Sequence, residues 1–140
     1  LFQKLGGNEN MEKRVFGSKN QILADVSNYK SLSVVVDSTG VTATNGEGKK
    51  IIPAGTPVGA ADPFADEQAA VKVTNDVTTG DKTVGVLLHD VVFDADSATG
   101  NGTLLYFGTV NEYRLDDKLT IVNEAKTALD GKVYFVKRNK

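Results

Sequence analysis

The side chains that could do chemistry are few and scattered. His89 is the only histidine of the 140-residue chain, and Asp90 follows it. A His–Asp pair can serve general-base catalysis, but only when the base is held against both its partner and a substrate proton. The apolar run Val84-Gly85-Val86-Leu87-Leu88 predicts a strand ending at His89. Adjacent side chains on an extended strand point to opposite faces, so the two groups are not expected to meet. No cysteine is present, which removes thiol nucleophiles, disulfides and thiolate metal sites. No serine lies in a nucleophile-elbow pattern.

The acidic stretch Asp94-Ala95-Asp96-Ser97-Ala98-Thr99-Gly100 has the rhythm of a calcium loop's opening. An EF-hand loop needs an oxygen ligand at its fifth position and a bidentate Glu at its twelfth. Those positions hold Ala98 and Leu105, and the glycine falls one place late, so a solvated turn is expected. Gly46-Glu47-Gly48 lacks the strand–helix setting of a phosphate-binding loop. One histidine without cysteines leaves only carboxylates for a metal. The expectation is a protein with no catalytic residue, no cofactor and no metal: one that binds and braces rather than an enzyme.

Hydrophobic residues make up 40% of the chain and charged residues 24%, the balance of a single soluble globular domain. The net charge is −2, and the basic residues are dispersed apart from Lys137-Arg138-Asn139-Lys140. Phosphate neutralisation needs clustered cations, so no nucleic-acid partner is expected. No apolar run approaches the ~20 residues of a membrane helix, and none has the charged-then-apolar order of a secretory leader. The chain opens on Leu1 and its first methionine is Met11, so residues 1–10 are compatible with an added or processed end.

Residues 1–28 are polar, carry a Gly6-Gly7 pair and keep no apolar period, which predicts a flexible N-terminal arm. It holds two apolar patches, Arg14-Val15-Phe16 and Ile22-Leu23. They either pack back on the domain core or dock on a partner, where a short strand can extend a sheet edge. Residues 29–140 read as one β-rich domain. Leu32, Val34 and Val36 alternate with Ser31, Ser33 and Val35, the period of a half-buried strand. Residues 41–44 and 49–52 flank Asn45-Gly46, the favoured pair of a two-residue type I′ hairpin. Residues 62–70 have room for one helical turn. Residues 71–74 form another strand. Residues 84–88 predict a buried strand, with Gly85 at a close backbone approach and residues 91–93 extending the same ladder. Residues 94–102 predict a long polar loop and residues 103–110 an aromatic-rich strand. Leu119, Val122, Ala125 and Leu129 share a helix face that Gly131 would close, and residues 133–136 form a last strand. Without βαβ alternation, the class is mainly β with minor α: a small barrel or sandwich with one or two short helices. In each adjacent pair, Tyr106-Phe107 and Tyr134-Phe135, one ring should face in and the other out, as a partner contact or as local cover.

These pieces, in this order, resemble the head decoration proteins of tailed phages, the family of the phage lambda capsid-stabilising protein. The likeness is carried by Pro53-Ala54-Gly55-Thr56 with Val58-Gly59, by Val84-Gly85-Val86-Leu87 leading to Asp90, by Gly108-Thr109-Val110-Asn111-Glu112 with Leu115, and by the short helix before Val133-Tyr134-Phe135-Val136. It covers residues 49–137. The N-terminal third has no counterpart, and residues 94–102 are peculiar to this chain. The resemblance implies a homotrimer made in the bacterial host cytoplasm. It would sit on the outer surface of the expanded capsid at local three-fold positions, with the major capsid protein shell as partner. The arm would order on that shell, which makes Arg14, Val15, Phe16, Ile22 and Leu23 candidate docking residues. Tyr106, Phe107 and Val110 are the candidate trimer interface. A competing reading is a head-fibre or adhesion module whose 94–102 loop and outward aromatics contact a host glycan.

Overall fold

The computed structural model describes residues 21–94 and 97–139. Its strands are β1 (Lys30–Asp37), β2 (Ile51–Ile52), β3 (Pro57–Gly59), β4 (Ala70–Val73), β5 (Thr83–Leu87), β6 (Val91–Val92), β7 (Thr99–Asn111) and β8 (Val133–Val136), with one α-helix, α1 (Asn123–Ala128). Five strands, in the order β1-β4-β3-β5-β7, close into a barrel because β7 returns to pair with β1. The mainly β class expected from the strand pattern is therefore shown, and of the barrel or sandwich left open there the fold is the barrel. Closure removes the free edges that a five-stranded sheet would otherwise expose.

The 13-residue β7 is the spine of the molecule. Its first nine residues run antiparallel beside β1, from Asp37 opposite Thr99 to Lys30 opposite Phe107. Its middle pairs with β5 through Val86–Leu105 and Leu87–Leu104. Its last four residues, from Gly108 opposite Val133 to Asn111 opposite Val136, pair in parallel with β8 outside the barrel. Two apolar cores lie on opposite sides of the β5–β7 wall. Val34, Val36, Val58, Val71, Leu87, Val91, Phe93 and Leu104 fill the barrel. Val86, Leu88, Leu105 and Val110 instead meet Leu115, Ile121, Ala125, Leu129 and Val133 beneath α1. This two-sided burial is why residues 84–88 read as an unbroken apolar run instead of an alternating one. Gly85 sits where the chains touch: a Cβ there would lie 2.5 Å from the Leu105 carbonyl oxygen.

The C-terminal helix is shorter than expected, six residues or about one and two-thirds turns, with Val122 and Leu129 as its flanking caps and Leu119 outside it. Asn75 fixes its entry: the Val122 N–H donates to Asn75 Oδ1 at 2.9 Å, and Asn75 Nδ2 donates to the Thr120 carbonyl at 2.8 Å. Gly131, at φ +81°, turns the chain into β8.

Four local expectations are corrected. Residues 99–102 are strand, not loop. Gly100 and Gly102 are packing positions, where a Cβ would sit 3.0 Å from the Phe93 ring and 2.9 Å from Val36 Cγ2. The Asn45 turn is a three-residue loop with its left-handed residue at Gly48 (φ +79°), because the Asn45 carboxamide oxygen accepts the N–H groups of Glu47 and Lys49 and holds a wider turn. The flanking residues make one Thr44–Lys50 bridge, and Ile51-Ile52 pair with β6. Residues 91–92 therefore do not prolong β5: the chain bends at Leu88-His89. Finally, the arm does not extend to residue 28. Ile22 and Leu23 are 1% exposed, the Asn111 N–H donates to the Ile22 carbonyl at 2.8 Å, and the Ala24 N–H donates to the Thr109 carbonyl at 2.8 Å. The end of β7 would otherwise lack a neighbour on that side, and these two side chains complete the core under α1.

Three surface turns share the pattern Asp-x-Ser/Thr: Asp25–Ser27, Asp37–Thr39 and Asp76–Thr78. In each, one carboxylate oxygen accepts both the hydroxyl and the backbone N–H two residues on, at 2.6–3.0 Å. The Ser27 and Thr39 hydroxyls, then their N–H groups, hold Asp25 and Asp37 below the ordinary value of 3.8; for Asp76 the Thr78 N–H leads and its hydroxyl follows. A carboxylate depressed in the folded state stabilises fully above its unfolded value, and that stability is lost as pH falls through the lower folded one. The melting temperature is thus expected to hold down to about pH 5 and to fall as the solution is acidified below 3.8. Asn at all three positions should flatten that decline in a series of melts from pH 6 to 2.

Candidate functional site

His89 and Asp90 both border a shallow groove on the outer side of β1 and β7, because the bend beyond β5 cancels the strand alternation that would have separated them. Asp90 serves the fold there: its Oδ1 accepts the Ala54 N–H at 2.7 Å. Among the described residues no three metal-binding side chains converge, and no helix is long and apolar enough to cross a membrane.

The feature suited to binding is an aromatic cleft of about 510 Å³ lined by Phe64, Val84, Tyr106 and Phe107, with Lys30, Lys132 and Asp62 beside them. It arises from an irregularity in the ladder. Lys30 faces Phe107 and Ser31 faces Leu105, so Tyr106 is an extra, unpaired residue. Such a bulge turns successive side chains away from strict alternation. Both residues border one cleft, each half-buried; Tyr106 also packs against the barrel core, on the side of Leu104, whereas Phe107 joins neither core. At the second pair Tyr134 is exposed, while Phe135 is half-buried against the core under α1.

Phe64 completes the face. Asp62 Oδ1 accepts the N–H groups of Phe64 and Ala65 at 3.1 and 3.2 Å, a local cap that folds residues 62–66 into a tight turn. This turn sets the Phe64 ring edge-on to Tyr106, with centroids 5.2 Å apart and planes at 86°. Phe64 remains 53% exposed. Lys30 Nζ lies 5.8 Å from the centre of the Phe107 ring, within cation–π range. Next to it, Tyr29 is 41% exposed and packs close to Gly108. The face offers ring surfaces and flanking cations for non-covalent association.

Of the sequence-derived candidates, Tyr106 and Phe107 come together in this cleft. Val110 does not: it is fully buried beneath α1, where it bridges Leu23, and cannot touch a partner directly. Ile22 and Leu23 belong to the same core, so their patch takes the packing role of the two left open. Arg14, Val15 and Phe16 lie outside the described residues. Phe64 was missed, although a lone aromatic in the acidic stretch after Asp62-Pro63 was the available signal. Comparison with protein-family models, curated proteins and solved structures returned no match for this chain.

Proposed function

We propose that the protein is a phage capsid decoration protein, a homotrimer that binds the outside of the expanded head at local three-fold positions and braces the shell. The observation that carries this reading is the spatial pairing of the motifs behind the family likeness. The Pro53–Thr56 segment docks on the Val84–Leu87 segment: the Gly55 N–H donates to the Leu87 carbonyl at 2.6 Å and the Leu87 N–H to the Thr56 carbonyl at 3.1 Å. Asp90, the acid that follows, accepts the Ala54 N–H. The Gly108–Asn111 segment pairs residue for residue with Val133–Val136. Motifs 25 to 31 residues apart in sequence thus form two joined units of one framework, and this joint arrangement supports the reading.

A brace requires no chemistry. A ligand that binds only the mature shell stabilises it by RT ln(1 + [L]/Kd), about 4 kcal/mol per site at a thousandfold excess over Kd. Three copies in one trimer make the later contacts intramolecular, so each can be weak. The Phe64–Tyr106–Phe107 cleft is the surface assigned to the contact between copies, since Tyr and Phe are enriched at interfaces and Tyr among their hot spots.

The test is co-sedimentation with expanded and unexpanded heads of tailed phages. Binding to expanded heads alone is the expected result, and equal recovery with and without heads would sink the proposal. Phe64→Ala truncates an exposed ring, so the melting temperature should stay within a few degrees while self-association weakens about tenfold or more. Analytical ultracentrifugation of the variant reads this directly.

A further inference from the structure

β8 lies outside the closed barrel at the end of its sheet, and among the described residues it pairs with β7 alone, which leaves its other edge open. The Gly108 N–H donates to the Lys132 carbonyl, and the Asn111 side chain holds both the N–H and the carbonyl of Arg138, so the even-numbered backbone groups from 132 to 138 face β7. Those of Val133, Phe135 and Lys137 face away from it. The Val133 N–H is taken by the Leu129 carbonyl. Among the described residues nothing takes the Phe135 N–H and carbonyl or the Lys137 N–H beyond, and these groups are in register for one more strand. The two faces of this edge differ: Phe135 packs inward while Tyr134 is 51% exposed.

The charges around the edge select what can fill it. Lys132 precedes β8, Lys137 and Arg138 follow it, and all three are exposed. Nearby Lys126 is engaged by Glu112 at 3.0 Å, and Asp130 is the acid on the turn leading into the strand. Antiparallel pairing of two copies centred on Phe135 would set Lys132 opposite Arg138 twice, and directly opposed like charges destabilise a pair. Lysines on an edge are also a common guard against self-pairing.

We propose that the open edge of β8 is a strand-addition site for an extended acidic segment of a partner protein. The backbone of Phe135 and Lys137 supplies the hydrogen bonds, and Lys132, Lys137 and Arg138 read the partner's carboxylates. The site shares Lys132 with the border of the Phe64 cleft but needs neither the trimer nor the capsid reading.

The experiment is an amide-resolved NMR titration of the full chain with two capped pentapeptides, one alternating valine and glutamate, the other valine and lysine. The glutamate peptide should shift the Phe135 and Lys137 amides at millimolar concentration, with the lysine peptide at least tenfold weaker. In the double variant Lys132→Glu/Lys137→Glu the preference should invert while amides remote from β8 keep their positions. Equal response to both peptides, no response at these amides, or shifts at the same amides on simple dilution of the protein would each overturn the proposal. The last outcome would assign the edge to a second copy.

Discussion

Gly59→Ala is expected to lower stability by about 3–4 kcal/mol and the melting temperature by roughly 10–15 °C, more than any other one-carbon change on the barrel. Gly59 ends β3, between Lys72 of β4 and Thr83 of β5, where the register to β5 shifts by a residue. A Cβ there would overlap the Lys82 carbonyl oxygen and stand 2.9 Å from both Lys82 C and Thr83 Cα. All three atoms are backbone, so no rotamer change relieves the overlap. The strands must separate or the Ala60 N–H must release the Lys82 carbonyl it now meets at 3.1 Å. There is little slack, since Ala60 already sits at φ +62°, a conformation that costs a non-glycine residue about 1 kcal/mol or more. Overpacking costs 1–3 kcal/mol or occasionally more, and a lost buried hydrogen bond adds about 1. The control is Gly40→Ala. Its φ is +82° but a Cβ there meets nothing within 4 Å, so only backbone strain of about 1 kcal/mol remains. Urea denaturation of the pair separates steric overlap from strain. Similar losses in both variants would contradict the close approach at Gly59.

The barrel was legible wherever one side chain decides one face. The alternation of Leu32, Val34 and Val36 survives intact in β1, and the continuous run at residues 84–88 marked a buried strand correctly. What the run could not say is that two cores meet there, because burial on both sides looks the same in sequence whatever covers it. The glycines misled in one place. Gly100 and Gly102 occur among Asp, Ser, Thr and Asn, which is turn composition, yet they are small because Phe93, Val36, Val91 and Leu87 press on them from across the barrel. Only the partner strands carry that information. The candidate face was half legible for a related reason. Tyr106 and Phe107 advertise themselves by type, but the bulge beside Tyr106 is a property of the pairing with β1. Phe64 reaches the cleft from a turn about forty residues away. The family likeness drew attention to motifs that are framework, and framework motifs place a face without naming what it touches.

A chain beginning at Asp25 is expected to be less stable than one beginning at Gln21 by about 4–8 kcal/mol, enough to abolish a cooperative melt in a domain of ordinary stability. The two differ by four residues, of which Ile22 and Leu23 are each 1% exposed in the core under α1. Truncating a large buried aliphatic side chain costs about 2–5 kcal/mol, and the longer deletion removes two together with their bridge to Val110. It also strips the hydrogen bonds from Asn111 and Ala24 that cover the end of β7, and the contact of Arg114 with the Gln21 carbonyl at 3.1 Å. Leu23→Ala alone should reproduce about half of the loss. Circular-dichroism melts of the three proteins decide the point, and equal midpoints would mean that residues 21–24 are ornament rather than core. The comparison also makes the capsid reading testable, because a cut within the core weakens shell binding by unfolding the protein. Only the chain beginning at Gln21 keeps the core contacts of Ile22 and Leu23 while lacking Arg14, Val15 and Phe16. If it melts cooperatively but sediments with expanded heads less than the full chain does, the loss belongs to those first twenty residues. If it melts cooperatively and binds as tightly, the grip on the shell resides in residues 21–140, with the aromatic cleft and the β8 edge as candidate surfaces.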